Sequence, residues 1–135
     1  MDQHDAEGAA AAAEYFLELY PYVMTTGDTA EWEAMTHEAC GFCSDSIGQA
    51  TRIVDEEASF EGGEIATTVI TTYAQDDLTG LYPLDVQIDQ EPMVIRDSSN
   101  AELFADDRTS DLYRVEMGIR DGTWVVFEVA GSPEA

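Results

Sequence analysis

Leu112-Tyr-Arg-Val-Glu-Met-Gly-Ile-Arg120, Asp121-Gly122, Thr123-Trp-Val-Val-Phe-Glu-Val-Ala130: this stretch near the end of the chain reads as two strands folded about a tight turn. Asp-Gly between two runs of alternating apolar residues is a strong short-range hairpin signal. A plain two-residue loop would set Val115 opposite Glu128 and Arg114 opposite Val129, mixing charged with apolar groups. A type I turn with Gly122 as a bulge residue shifts the pairing by one. Tyr113, Val115, Met117 and Ile119 then share a face with Val125, Phe127 and Val129, while on the other face Arg114 meets Glu128 and Trp124 lies over Gly118. Register follows the pattern that buries one face, so the bulged turn is expected.

Working back from the hairpin, the strand-like period persists to Gly62-Gly63. Leu84, Val86 and Ile88 alternate with Asp85, Gln87 and Asp89, as in a half-buried antiparallel strand. Asp85, Asp89 and Glu116 then fall at outward, solvated positions. Ile65 to Tyr73 is rich in Thr, Val and Ile. Pro92 should mark a bulge or an edge position, and 98–110 reads as a polar connection. Before Gly62 the period is helical. Ala12, Phe16, Leu19 and Val23 recur at helical spacing from Ala9 to about Thr25, with Pro21 kinking the pattern or loosening its last turn. Gly27 ends it. Asp28 with Glu31 three residues on suggests a capping box for a short helix that buries Trp32 and Met35. A third helix is expected from about Ser44 to Glu57, with Ile47, Ala50 and Val54 inward; Asp55, Glu56 and Glu57 crowd its C-terminal end against the helix dipole. Three helices followed by a four-stranded antiparallel sheet make an α+β fold, with the helices packed on a strongly curved, cone-shaped sheet.

The 135 residues suit one domain with a real core: a single domain over 9–130, flanked by tails at 1–8 and 131–135. Twenty-nine acidic residues oppose five basic ones, all arginine, for a formal net charge of −24. That surface repels phosphate backbones and anionic headgroups alike, so neither nucleic acid nor a bare membrane is an expected partner. A salt-adapted cytoplasm or a cation-rich extracytoplasmic surface would both suit such a charge. No apolar run reaches the length of a membrane span, and the first residues show no signal-peptide pattern.

Cys40-Gly-Phe-Cys43 is the compact chemical signature. The expected reading is a disulfide closing a short loop, worth only about 2 kcal/mol and stiffening a corner. A thiol oxidoreductase would place the pair after a strand in a βαβ unit, whereas here it lies between helices. A metal site could draw on His37, Cys40 and Cys43, but a closed zinc site needs a fourth ligand and the other histidine, His4, is in the tail. No metal, cofactor or catalytic residue is therefore assigned.

Ala13-Glu-Tyr-Phe, Thr26-Gly-Asp, Trp32, the Cys40–Cys43 pair and Glu61-Gly-Gly together resemble an uncharacterised actinobacterial lipoprotein family, a domain of unknown function within the nuclear-transport-factor-2-like superfold. The resemblance spans about Ala9 to Val129. It implies export and a lipid anchor supplied by a segment upstream, and it carries no assigned activity. The function expected is a non-catalytic extracytoplasmic domain binding a small molecule or an envelope protein. Tyr20, Trp32, Tyr73, Tyr113 and Phe127 are the candidate lining of a pocket at the cone mouth. The alternatives are a small isomerase- or hydrolase-type enzyme using that pocket, and a thiol-redox protein using Cys40 and Cys43. In the bulged register Leu112, Trp124 and Val126 form an outward apolar patch where a homodimer is expected, unless the N-terminal arm or 98–110 folds over it.

Overall fold

The computed structural model describes residues 3–131 and resolves four helices among them. α1 (Ala6–Glu18) starts earlier than the alanine run suggested because the Asp5 carboxylate caps it, accepting the Gly8 backbone N–H at 2.9 Å. Pro21 does not bend a continuous helix. The chain breaks at Leu19 and restarts as α2 (Tyr20–Thr26) with the proline in its first turn, where a missing N–H leaves no bond unmade. Gly27 closes α2 in the left-handed region at φ 74°. The capping box expected at Asp28 does not form. Thr29 takes the N-cap position of α3 (Ala30–Ala34), Asp28 accepts the Ala30 N–H at 3.2 Å, and Glu31 accepts the Tyr15 hydroxyl instead. α4 (Gly41–Asp55) begins at the cysteine pair and buries Cys43, Ser46, Ala50 and Ile53. Its inner face is thus rotated from the one expected, and Val54 is exposed.

The strands form two antiparallel sheets, where a single curved four-stranded sheet was expected. β2 (Ile65–Thr72), β3 (Tyr82–Gln90), β6 (Thr109–Arg120) and β7 (Thr123–Gly131) make one, in the order β2-β3-β6-β7. β1 (Ser59–Gly62), β4 (Met93–Arg96) and β5 (Glu102–Asp106) make the other, in the order β1-β4-β5. The chain passes from one sheet to the other three times, and β5 leads into β6 through Asp107 and Arg108. β1 leads into β2 through Gly62 and Gly63, both at positive φ, and β3 leads into β4 through Glu91 and Pro92. Gly63 N–H donates to the Pro92 carbonyl at 3.0 Å, and a Cβ on Gly62 would lie 2.3 Å from that oxygen. Pro92, lacking an N–H to continue a ladder, marks the crossing rather than a bulge or an edge. The supposed connection at 98–110 carries β5 and the first residues of β6.

The hairpin register also differs from expectation. Asp121 and Gly122 both have positive φ, 54° and 78°, the signature of a type I′ two-residue turn, and Arg120 pairs with Thr123. The ladder shifts further along, between Glu116 and Met117, so that Val115 meets Val129 and Met117 meets Val126. The extra residue, Phe127, sits in β7 as a bulge. Both demands are met this way: a turn whose twist suits the strands, and apolar partners on the buried face. Trp124 and Val126 consequently point into the core at 3% and 0% exposure, where an outward patch was expected. They join Phe16 of α1, Trp32 of α3, and Leu84, Val86, Val115 and Met117 of the larger sheet in one core.

The arm at Gln3 and His4 lies against this corner. Trp124 Nε1 donates to the Gln3 carbonyl at 3.0 Å, and the His4 ring meets the indole edge-on. The described part of the expected 1–8 tail is therefore folded; all but Gly131 of the expected 131–135 tail lies outside the described residues.

Candidate functional site

The disulfide sets the position of α4. Cys40 is its N-cap residue and is bonded to Cys43; its sulfur accepts the Cys43 N–H at 3.2 Å. Trp32 Nε1 donates to the Cys43 carbonyl at 3.0 Å, and the indole stacks on Phe16 with centroids 3.8 Å apart. The start of α4 is thereby tied to the aromatic core. Both cysteines are fully buried, which denies an attacking thiolate access to either sulfur. Bonded to each other, they offer no thiolates to a metal beside His37.

From that anchor α4 packs on β7 of the larger sheet and reaches β1 of the small one, leaving part of the small sheet uncovered. Ile53 meets the side of the sheet carrying Ile95, whereas Leu103 and Phe104 on β5 stay about half exposed, at 52% and 50%. Between them lies a groove of about 620 Å³, walled by Ser44, Asp45, Gln49, Arg52 and Glu56 of α4 and floored by Ala58 and Ile95. That volume is in the range of small-ligand sites, roughly 300–1,000 Å³. Two local features shape it. Gly48 lies in the middle of α4 and lines the groove, yet a Cβ there would meet nothing within 4 Å. A helix-interior glycine costs about 1 kcal/mol relative to alanine, and packing inside the chain does not require this one. The β4–β5 ladder shifts between Ile95 and Arg96, leaving Leu103 as an extra residue. Consecutive strand residues ordinarily face opposite ways; this bulge lets Leu103 and Phe104 both line the groove.

Tyr20 and Tyr113, two of the expected pocket residues, meet at a smaller cleft of about 100 Å³ with Phe42, Ile88 and Gln90. Burial raises both phenols above their ordinary range, helped by Asp106 near Tyr20 and by Asp111 near Tyr113. The other three are elsewhere. Trp32 is core. Phe127 stacks on His37 with centroids 3.8 Å apart. Tyr73 lies over the Arg114 guanidinium, 4.9 Å from its ring centroid, and donates to Asp85 at 2.7 Å. Leu112, the third residue of the expected patch, pairs with Gln87 and is half-buried.

Asp85, expected on a solvated face, is buried at 4% exposure. The hydrogen bond from Arg114 Nε at 2.6 Å holds its carboxyl below the ordinary carboxylate range, against the opposing effect of burial, and the Tyr73 hydroxyl adds to it. A carboxylate kept ionised in this way braces β3 against β6 and is a poor proton donor near neutral pH.

The residue pattern of residues 1–130 matches that of a family of unknown function, DUF6318. The chain belongs to that family. No curated protein matches this DUF6318 chain in sequence. Its fold is similar to the intermembrane space region of the chloroplast protein ARC6, with a TM-score of 0.71 and 11% identity over 96% of this chain and 99% of that one. It is also similar to a periplasmic fragment of TraM, with a TM-score of 0.51 and 11% identity over 93% and 98% of the two chains. At that identity the likeness is one of fold.

The groove escaped sequence reading because 98–110 reads as a polar connection, which hides β5, and because the helical pattern of α4, itself legible, turned Ile47 and Val54 inward in place of Cys43, Ser46 and Ile53. Leu103-Phe104 stood out as apolar residues within 98–110, and Gly48 as a glycine inside a helical pattern; these were the available signals.

Proposed function

We propose that this chain is a non-catalytic extracytoplasmic binding domain of nuclear-transport-factor-2-like build, lipid-anchored in its native form, whose site is the groove between α4 and β5. The groove itself carries the reading: an apolar floor and wall left uncovered beside a helix that keeps an unneeded glycine facing it. The disulfide favours an oxidising compartment. So do the two structural neighbours, fragments from a periplasm and an intermembrane space, and the resemblance to lipoproteins.

Two measurements test it. Titrating benzyl alcohol, a neutral apolar probe, into isotope-labelled protein should shift amide signals of α4 from Asp45 to Glu56 together with Ile95, Leu103 and Phe104. Shifts elsewhere, or none, would remove the groove as the site. For the compartment, the full-length protein in its own cells should incorporate palmitate and, once denatured, should resist alkylation at Cys40 and Cys43 until reduced. An unlabelled protein with both thiols free would place it in the cytoplasm.

A further inference from the structure

The groove's polar rim says more about its occupant than its volume does. Asp45 and Glu56 stand at the two ends of the α4 wall, eleven residues apart in sequence and so roughly 16 Å apart at the helical rise. Arg52 is the single basic residue of the lining. The opposite wall, β5, carries Glu102 and Asp106 on either side of Leu103, Phe104 and Ala105. The β5 wall thus has an apolar centre between acidic ends, and on α4 the acidic ends flank Gly48, Gln49 and Arg52. Five extended residues also span about 16 Å. β5 is an edge strand, pairing only with β4 among the described residues, so one row of its backbone groups faces outward beside the groove. Gly48, exposed and unneeded for packing, leaves room for a main chain to approach α4 closely.

We propose that the groove between α4 and β5 binds an extended peptide segment of a partner protein, about five residues long, apolar in the middle and basic at both ends. Its apolar side chains rest on Leu103, Phe104 and Ile95, its main chain passes Gly48, and its basic ends lie toward Asp45 and Glu56. This rests on the groove being the binding site. The chain's net charge of −24 draws such a segment in at long range, while the apolar centre separates it from merely cationic ones.

The test uses a fluorescently labelled panel of peptides of the form Lys-Xaa-Xaa-Xaa-Lys, with Xaa drawn from Leu, Val, Phe and Ala. Two control series accompany it: Glu in place of both Lys, and Gly-Ser-Gly as the centre. Fluorescence anisotropy is read at 0.15 M salt. The best Lys peptides should bind below about 1 mM, and both control series should bind at least about tenfold more weakly. Gly48→Leu adds a side chain on the groove wall at a position where a Cβ meets nothing within 4 Å; it should cut binding by about tenfold or more while the circular dichroism of the folded chain is kept. Phe104→Ser should weaken binding likewise. Equal binding to the Gly-Ser-Gly controls, or undiminished binding to Gly48→Leu, would mean attraction to the acidic surface alone and would overturn the proposal. Equal binding of the Glu series would overturn the choice of basic ends. If benzyl alcohol shifts the groove residues and no Lys peptide binds, the peptide inference fails while the groove remains a site. If neither binds there, both fail.

Discussion

Glycine at 48 and glycine at 118 carry opposite consequences. A Cβ at Gly48 meets open space, whereas one at Gly118 would lie 2.5 Å from the Phe127 ring and 2.9 Å from a Leu81 methyl. Gly48→Ala should therefore stabilise the domain by about 0.5–1 kcal/mol, and Gly118→Ala should destabilise it by about 1–3 kcal/mol through overpacking. Urea unfolding followed by circular dichroism measures both, and a destabilised Gly48→Ala would show that helix preference is not what the glycine costs. Asp85 and Arg114 give a pH signature. The folded carboxyl is lowered, so the stability it contributes is present above the unfolded value of about 3.9 and is lost as pH falls through the folded one. Arg114→Met should then cost about 1–2 kcal/mol at pH 7, a figure held down because Arg114 reaches solvent. The gap from the parent should narrow as pH falls below about 3.9 toward the lowered folded value, because Asp85 takes up its proton first where the arginine is missing. A gap constant with pH would assign the loss to the guanidinium's contact with the Tyr73 ring.

At the scale of elements, the hairpin shows what its sequence could and could not reveal. Its strands and the place of its turn at Asp121-Gly122 were legible from alternation and turn chemistry, whereas the pairing of Val115 with Val129 replaces an expected register that set Arg114 opposite Glu128. The bulge at Phe127 was not legible, because a one-residue slip can sit anywhere along a ladder and only packing beneath the sheet decides where. With that slip Trp124 turned inward, and the same residue that suggested an interface became a core residue roofed by Gln3 and His4. The division into two sheets was hidden for a related reason. Gly62-Gly63 and Pro92 each announced a local break, but that the two breaks meet at one corner is a long-range fact. Of the site, the disulfide was legible in spacing, and the groove was not. Trp124→Glu should now unfold or severely destabilise the chain, by about 3 kcal/mol or more, since it removes a buried indole and buries a charge. Deleting residues 1–5 should cost about 1 kcal/mol at the α1 cap alone and shift tryptophan emission to the red as Trp124 meets water. Unchanged emission would mean that the arm does not cover Trp124 in solution.

Across the whole molecule the charge is scarcely answered from within. Arg96, Arg108, Arg114 and Arg120 each sit beside acidic partners, at 3.6 Å from Glu61, 3.3 Å from Glu91, 2.6 Å from Asp85 and 3.2 Å from Glu38. Those four are thus spent locally and build no basic patch for a nucleic acid; a gel shift at micromolar protein and moderate salt should show no complex. The remaining acids repel one another, and compaction brings them closer than they stand in the unfolded chain, so folding works against this field. Salt shortens the range of repulsion from about 30 Å at 0.01 M to about 3 Å at 1 M, while the Asp85–Arg114 pair, largely buried, is screened far less. Repulsion should thus fade faster than attraction as salt rises. Between 0.02 and 1 M sodium chloride the domain should gain about 1 kcal/mol, or roughly 3–5 °C in melting temperature. Sodium chloride and potassium chloride should act alike, since the effect is one of ionic strength. A melting temperature that stays flat or falls over this range would mean that the exposed arginine pairs contribute as much as the repulsion removes, and that the acidity carries no cost to folding.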